Sequence, residues 1–558
     1  MTNSSSDIRV VVGIDFGTTY SGFAYANVNT PNSIETNDTW PENKGEFKTN
    51  TVIRYDKKLN VIKWGLPALA EKISRKSGNS KSEEAQIAEL FKLHLAEIDE
   101  EEKPKLPLGL DPRKAITDYL CEVRKLIKSR ISDRWPGLIY FKHVRIVLTV
   151  PVEYDERIRA IMRQCAYDAD LILTLESENL EFTTEPEAAA IHCLENLSEH
   201  PLKEGDSFMI VDCGGGTIDL TVRTILSDSK LSELTESTGD FCGSTYIDKE
   251  FKKFLGAKIG KSALEFMEEK HYPQLQYLIQ YFCTHVKIPF DGDERNWRNK
   301  EIDLEEVCPV IMQYVKGDER EEMEECEWLI ELDFQMVKCF FDKVIENILR
   351  LIHEQLIKSK KTISAIFLVG GFSESKYLLH RVRQEFNRQV SYISVPSYPV
   401  TSIVKGAVMY GLKMDKVKTR VLKKTYGIEL YRDWTFKDPI ERMKIVDEQR
   451  KILVFTRLAK KGTEVLVDQA FTKMVYPVHK EQLTCDFSIY RINADDGKYC
   501  DDPEMKLFGT LTLDIPDIHL GLNRPMEFTL TFGQMETRAF AKALKSGKTV
   551  QANFKLEL

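Results

Sequence analysis

The chain contains no Cys-x-x-Cys pair. Its 11 cysteines are scattered from Cys121 to Cys500 and odd in number, which disfavours a disulfide framework and a zinc site alike. Reduced thiols in cytosol fit better. No apolar stretch approaches the ~20 residues that span a bilayer, and the amino terminus, MTNSSSDIRVVVG, lacks the basic and apolar regions of a secretory signal. The expected address is therefore cytoplasmic, with no membrane partner. A net charge of −9 gives no general pull towards phosphate backbones, and no basic patch of useful size is present, so no nucleic-acid partner is expected.

What is present is the composition of a large globular protein: 558 residues, 42 % hydrophobic, 30 % charged and 10 % aromatic. At ~150 residues per domain, that length divides into roughly three or four lobes. The stretch IVDCGGGTIDLTV, residues 210–222, sets three consecutive glycines between two aspartates and bounds them with apolar runs. Glycine packs nothing and costs backbone entropy, so the run implies a bend that another backbone or a ligand approaches closely. An earlier copy of the plan stands in RVVVGIDFGTTYSGFAY, with an apolar strand Val10 to Ile14, then Asp15, a Gly-Thr-Thr bend and a second strand through Phe23 and Tyr25. Two copies suggest two related lobes facing one another.

Further strands end in pointed turns. Val144 to Val150 is stopped by Pro151, and Ile366 to Val369 runs into Gly370-Gly371 ahead of a helix-like stretch. Apolar strands alternating with helical patterns read as an α/β architecture. Phe334, Val337, Phe341, Val344, Ile348, Leu351 and Ile352 recur at helical spacing and give one long helix an apolar face, with no function assigned. The acidic runs 98–102 and 318–327 read as solvated loops. After Gly411 the chain turns basic over 412–424, taken as a linker. Strand-like alternation follows: Leu511, Leu513 and Ile515, then Met526, Phe528, Leu530 and Phe532, and finally Phe554, Leu556 and Leu558. This predicts a β-sandwich over 425–558.

Two glycine hairpins, each preceded by an aspartate, make physical sense as a phosphate clamp. Backbone N–H groups exposed by the missing side chains can point at phosphate oxygens, and Thr18, Thr19 and Thr217 add hydroxyls at the same bends. Carboxylates beside a polyphosphate repel it unless a hard cation lies between, so Asp15 and Asp212 imply Mg²⁺. Two decoys are set aside. GAKIGKS, residues 256–262, has three residues between its glycines where a P-loop needs four, and SGKT at 546–549 lacks the first glycine.

The set GIDFGTTYSGFAY, VLTVPVEY, TTEPEAAAI, IVDCGGGTIDLTV and IFLVGGFSESKYL, in this order, resembles the nucleotide-binding domain of the heat shock protein 70 family, within the actin and sugar-kinase superfamily. Its divergent twelve-A-like branch is the closest in pattern. The resemblance implies a two-lobed, actin-like ATPase domain over 1–411, with ribonuclease H-like duplicated lobes at about 1–205 and 206–411. It extends more weakly over 425–558, which looks like the family's β substrate-binding subdomain without the helical lid.

Carried over by position, the resemblance implies that Asp15 and Asp212 hold hydrated Mg²⁺. Gly17, Thr18, Thr19, Tyr20, Gly214, Gly215, Gly216, Thr217, Gly243, Lys287, Gly370 and Gly371 would contact ATP or ADP. Glu185, Thr217 and Asp219 would serve the chemical step, with Asp219 orienting the attacking water. Pro151 and Arg159 match positions that relay nucleotide state, although strand termination accounts equally well for the proline.

The departures are as informative. Leu69 stands where the family carries its catalytic lysine, which removes a positive charge from the place where charge develops on the γ-phosphate. Lys63 and Lys72 are nearby substitutes that no pattern singles out. Thr284 and Ile288 flank Lys287 in an eroded nucleoside motif, Glu374 replaces an arginine, and Val400 replaces an acidic residue. Binding is thus the firmer expectation, and weak ATP hydrolysis stays open. The leading expectation is an ATP-binding, chaperone-like protein whose β domain takes unfolded peptide or a client, with a co-chaperone or exchange factor as further partner. A nucleotide-dependent scaffold or regulatory pseudo-ATPase is the alternative, and a small-molecule kinase a weaker third.

Overall fold

The computed structural model describes residues 7–70, 86–195, 202–532 and 536–553. Backbone packing divides the chain into two compact units, one of residues 1–222 and 237–414, the other of residues 223–236 and 415–558. The alternating Phe554, Leu556 and Leu558 lie outside the described residues.

The first unit is built on two sheets of one plan. In the first, strand Val10–Phe16 pairs antiparallel with Tyr20–Asn27 and parallel with Val144–Val150, which in turn pairs parallel with Leu180–Thr184. In the second, Ser207–Cys213 neighbours Ile218–Leu226 and pairs parallel with Ala365–Val369, which pairs parallel with Tyr392–Ser394. Both central strands are buried along their whole length, as expected of parallel strands covered by helices on both faces. The duplicated hairpin of the sequence is therefore a duplicated sheet topology.

Helix Ser402–Leu412 lies where small residues let backbone approach backbone. A Cβ on Gly406 would sit 1.7 Å from the carbonyl oxygen of Ala188, in helix Glu185–Glu195, and one on Gly13 would sit 2.7 Å from that of Val404. The long apolar stripe is helix Phe334–Ser359, capped at its start by the Asp333 side chain, which accepts from the Met336 amide.

The acidic run 318–327 corrects its reading as a loop: Asp318–Glu325 is a helix. Asp318, Glu319 and Glu321 fall in its first turn, where the partial positive charge of the helix start favours carboxylates. The run at 98–102 holds a single exposed 3₁₀ turn, Glu100–Glu102. The first P-loop decoy is a junction of two helices, Thr245–Ile259 and Lys261–Lys270, with Gly260 at φ 84° between them. The second is the turn before the last described strand, Thr549–Asn553.

The second unit is a β-sandwich. One sheet runs in the order Lys444–Val446, Gln449–Ala459, Thr425–Asp433, Thr484–Ile492, Lys506–Asp514; the other runs Gln469–Val475, Met526–Phe532, Arg538–Ala543, Thr549–Asn553. Strict alternation buries Met526, Phe528, Leu530 and Phe532 against Ile428, Phe487 and Leu511, with the Phe487 and Phe528 rings stacked at 4.8 Å. Within the basic stretch 412–424, residues Val417–Val421 form a strand that pairs parallel with Lys230–Glu233. The expected class, duplicated α/β lobes followed by a β-sandwich, is the observed one. Among the described residues, no helix is long and apolar enough to cross a membrane.

Gly406→Ala is expected to destabilise the chain by about 1–3 kcal/mol, the usual range for overpacking. The denaturant midpoint measures it, and an unchanged midpoint contradicts the close approach to Ala188.

Candidate functional site

The two glycine turns meet. The first, between Val10–Phe16 and Tyr20–Asn27, is held from outside by Thr51, whose hydroxyl donates to the Gly17 carbonyl at 2.9 Å and whose amide donates to that of Thr19 at 2.8 Å. The second is closed by the Gly214 amide donating to Thr217 O at 3.0 Å. It is buttressed from the start of helix Thr245–Ile259, where the amides of Gly243, Ser244 and Thr245 donate to the carbonyls of Gly216, Gly214 and Gly215. A Cβ on Gly215 would lie 2.1 Å from Thr19 Oγ1, and one on Gly216 would lie 2.5 Å from Thr18 Oγ1. The tips of the hairpins thus face each other with no room for a side chain.

A third turn closes on the same place. Gly370, at φ 81°, could carry a Cβ only 2.4 Å from Asp212 Oδ1. Both the backbone conformation and the space demand glycine there. Gly371 is open, with Val400 Cγ1 at 4.0 Å the sole neighbour of a built Cβ.

Three carboxylates gather beneath the turns. One oxygen each from Glu185, Asp212 and Asp219 lie within 4.8 Å of one another, and all three residues are buried. Asp212 is the last residue but one of the strand before the second turn, Asp219 the second of the strand after it, and Glu185 opens its helix. Burial, followed by the charges of Glu185, Asp219 and Asp15, holds the Asp212 carboxyl well above the usual carboxylate range. Burial and Glu185 push Asp219 up to about 7, against the Val152 amide, which donates to Asp219 Oδ1 at 2.8 Å, and the Thr217 hydroxyl. Burial likewise raises Glu185. Asp212 Oδ1 and Asp219 Oδ2 are buried without a hydrogen-bond partner among the described residues. Buried carboxylates gathered this closely, two of them with an unpartnered oxygen, are the donor set a hard divalent cation takes.

Asp15, expected to share the metal with Asp212, is not part of that trio. Its Oδ2 accepts from Lys48 Nζ at 2.6 Å. Burial works against the Lys48 charge, but the Asp15 carboxylate outweighs it and holds the ammonium above its ordinary pKa. A second ammonium, Lys92, bonds Glu185 Oε1 at 2.9 Å and the carbonyl of Phe16 at 2.6 Å. Sequence reasoning passed over both lysines. The signal for Lys92 was one charged residue inside the apolar run Leu90, Phe91, Leu93; Lys48, in an ordinary polar stretch, left none.

Leu69 packs against an apolar cluster of Val52, Ala68 and Ile87, as Tyr272 does. Lys63 lies in a strand opposite Arg54, and Lys72 lies outside the described residues. Lys287 donates to Ser244 O at 2.8 Å and to Asp248 Oδ1 at 2.7 Å, which ties it to the segment behind the second turn. Tyr20 begins its strand with the ring half exposed, and Ile288 is largely exposed. Burial, then Glu46, raises the Glu374 carboxyl. Pro151 follows its strand directly, and Arg159 donates to the carbonyl of Tyr154 at 2.9 Å.

The chain is 25 % identical to heat shock 70 kDa protein 12A of Homo sapiens, over 97 % of its own length and 90 % of that protein's. It is 23 % identical to heat shock 70 kDa protein 12B of Homo sapiens, over 98 % and 91 %. The heat shock protein 70 resemblance runs the length of the chain. The chaperone protein dnaK of Cyanidium caldarium is 24 % identical over 75 % of this chain and 64 % of its own. Residues 202–394 match a family described as a domain of unknown function (DUF8340). Among solved structures, MreB5 of Spiroplasma citri bound to ADP superposes with a TM-score of 0.47 at 13 % identity, covering 74 % of this chain and 98 % of that one.

The raised carboxyls set a pH dependence. In the folded, metal-free chain Asp212, Asp219 and Glu185 hold protons more tightly than unfolded carboxyls, which titrate near ~4. Their contribution to stability therefore falls as pH rises above about 4, that of Asp219 until about 7. Metal-free protein should melt at a lower temperature at pH 8 than at pH 6, and Asp219→Asn should narrow that gap. An equal gap in the variant contradicts the raised Asp219.

Proposed function

We propose that the chain binds Mg-ATP between the two lobes of its first unit, as a chaperone-like member of the cytoplasmic heat shock protein 70 type with slow hydrolysis. The observation that carries this reading is the pair of opposed, side-chain-free turns over three buried carboxylates. Amides and hydroxyls at Gly17, Thr18 and Thr19 and at Gly214, Gly215, Gly216 and Thr217 would cradle the phosphates. Gly243 and Lys287 would support the second turn, while Tyr20, Gly370 and Gly371 would border the nucleoside.

Mg²⁺, when bound, supplies charge neutralisation for the polyphosphate and an ordered shell of water. Asp212 and Asp15 are the proposed holders, directly or through that water, with Glu185 beside them. Four carboxylates, Asp15, Glu185, Asp212 and Asp219, face the two ammoniums Lys48 and Lys92. If all are ionised the balance is −2, the charge of one divalent cation. Asp219, held by the Val152 amide, would accept a proton from water at Oδ2, which has no partner among the described residues.

Residues 1–411 are proposed as the nucleotide domain, 412–424 as the link, and 425–558 as the module for unfolded peptide or a client. The β-sandwich exposes Phe436, beside a half-buried Trp434, and Ile440 on one loop and Ile445 on an edge strand, apolar surface suited to extended apolar chain. The second reading, a nucleotide-fixed regulator that does not turn ATP over, is favoured by one observation: Leu69 is built into an apolar cluster.

Calorimetry and single-turnover assays on the full chain test these readings. Mg-ATP is expected to bind, and Asp212→Asn to weaken it at least about tenfold, the scale of a lost charged contact. Turnover stimulated by unfolded peptide supports the chaperone form, binding without turnover supports the regulator, and no heat of binding overturns both.

A further inference from the structure

The proposed link, residues 412–424, contains a strand that is paired on both sides. Val417–Val421 runs parallel to Lys230–Glu233, with Leu231 opposite Val417 and Ser232 opposite Thr419, and antiparallel to Glu464–Leu466. Main-chain bonds continue beyond that ladder. The Val467 amide donates to Lys418 O at 3.3 Å, the Leu422 amide to Thr463 O at 3.0 Å and the Gly462 amide to Leu422 O at 2.8 Å. Val417, Thr419 and Val421 are β-branched, which suits a strand, and Val417 and Thr419 are buried. A tether free to swing leaves its backbone to water, so pairing on this scale marks a built part of the second unit.

Side chains fix the strand from both neighbours. The Val421 amide donates to Glu233 Oε2 at 2.7 Å, and Glu233 Oε1 lies 3.6 Å from Arg223 Nη2, both side chains being buried. A buried ion pair makes a firm lock, because losing one partner strands the other charge out of water. On the opposite side, Glu464 Oε1 accepts from the Thr419 hydroxyl at 2.6 Å and from the Ser232 hydroxyl at 2.8 Å, so one carboxylate ties three strands together. Ahead of the strand, Asp415 pairs with Lys230 at 2.9 Å. Arg223 stands on strand Ile218–Leu226, which also carries Asp219. We infer that Val417–Val421 is a permanent strand, locked by the Arg223–Glu233 pair and by Glu464, and that it stays in its sheet whatever occupies the site at Asp219. The β-sandwich is thereby carried on a fixed strand and not on a tether that melts and reforms with nucleotide.

Hydrogen exchange on the full chain, read by mass spectrometry, tests the lock without nucleotide, with Mg²⁺ and ADP, and with Mg²⁺ and a non-hydrolysable ATP analogue. The amides of 417–422 are expected to exchange at least about a hundredfold more slowly than an open chain in all three, and to differ by less than about threefold between them. Glu233→Gln is expected to speed exchange at Val421 about tenfold or more, the scale of a lost charge-assisted bond. Because that change strands the buried Arg223 guanidinium, Glu464→Gln, at an exposed position, is measured alongside, with melting temperature as evidence of folding. Faster exchange confined to 417–422 in a folded variant supports the lock. Exchange within about a hundredfold of an open chain in the unmodified protein, a change of about threefold or more between nucleotide states, or unchanged exchange in both variants overturns it. Calorimetry on the same samples reads nucleotide binding separately: absent heat overturns that reading, while exchange of the nucleotide-free chain still decides the strand.

Discussion

Carboxylates packed together out of water repel, and that repulsion organises the first unit. Glu185, Asp212 and Asp219 are brought within 4.8 Å of one another by a helix start and by the two strands that flank a single turn. Like charges at that spacing cost several kcal/mol when desolvated. Neutral carboxyls, lysine partners or a cation must offset them. The structure supplies the second in the ion pairs of Lys92 with Glu185 and Lys48 with Asp15, while burial raises the Asp212, Asp219 and Glu185 carboxyls and two buried oxygens have no hydrogen-bond partner among the described residues.

The fold delivers this constellation through duplication. Each lobe offers a central strand with an aspartate as its last residue but one, next to a glycine turn, and the parallel pairings set those ends at the same edge of each sheet. The turns then approach so closely that Thr18 and Thr19 occupy the space side chains on Gly216 and Gly215 would need. Gly370 adds a third backbone against Asp212. Backbone left bare by the missing side chains is thus concentrated beside the buried carboxylates.

Much of this was legible in the sequence because it depends on local pattern. The strands at Val10, Val144, Phe208 and Ile366, the glycine bends and the long helix before the third bend all announce themselves by periodicity and by glycine. The helix at Asp318–Glu325 did not, since its evidence was a charge run that solvent alone could explain. The two ammoniums were hidden for another reason. Lys48 and Lys92 reach Asp15 and Glu185 across 33 and 93 residues of chain, and no spacing rule connects such partners. The family resemblance marked Leu69 as the place of a missing charge, and its packing against the cluster of Val52, Ala68 and Ile87 is what a leucine there supplies.

The carboxylate trio is the proposed cation site, completed by nucleotide. Electron paramagnetic resonance with Mn²⁺ in place of Mg²⁺ counts that site directly. One tightly bound Mn²⁺ per chain is expected when an ATP analogue is present, and it should vanish when Asp212 and Asp219 are both changed to asparagine. No bound Mn²⁺ in the unmodified chain, or full binding in the doubly altered one, would contradict the account.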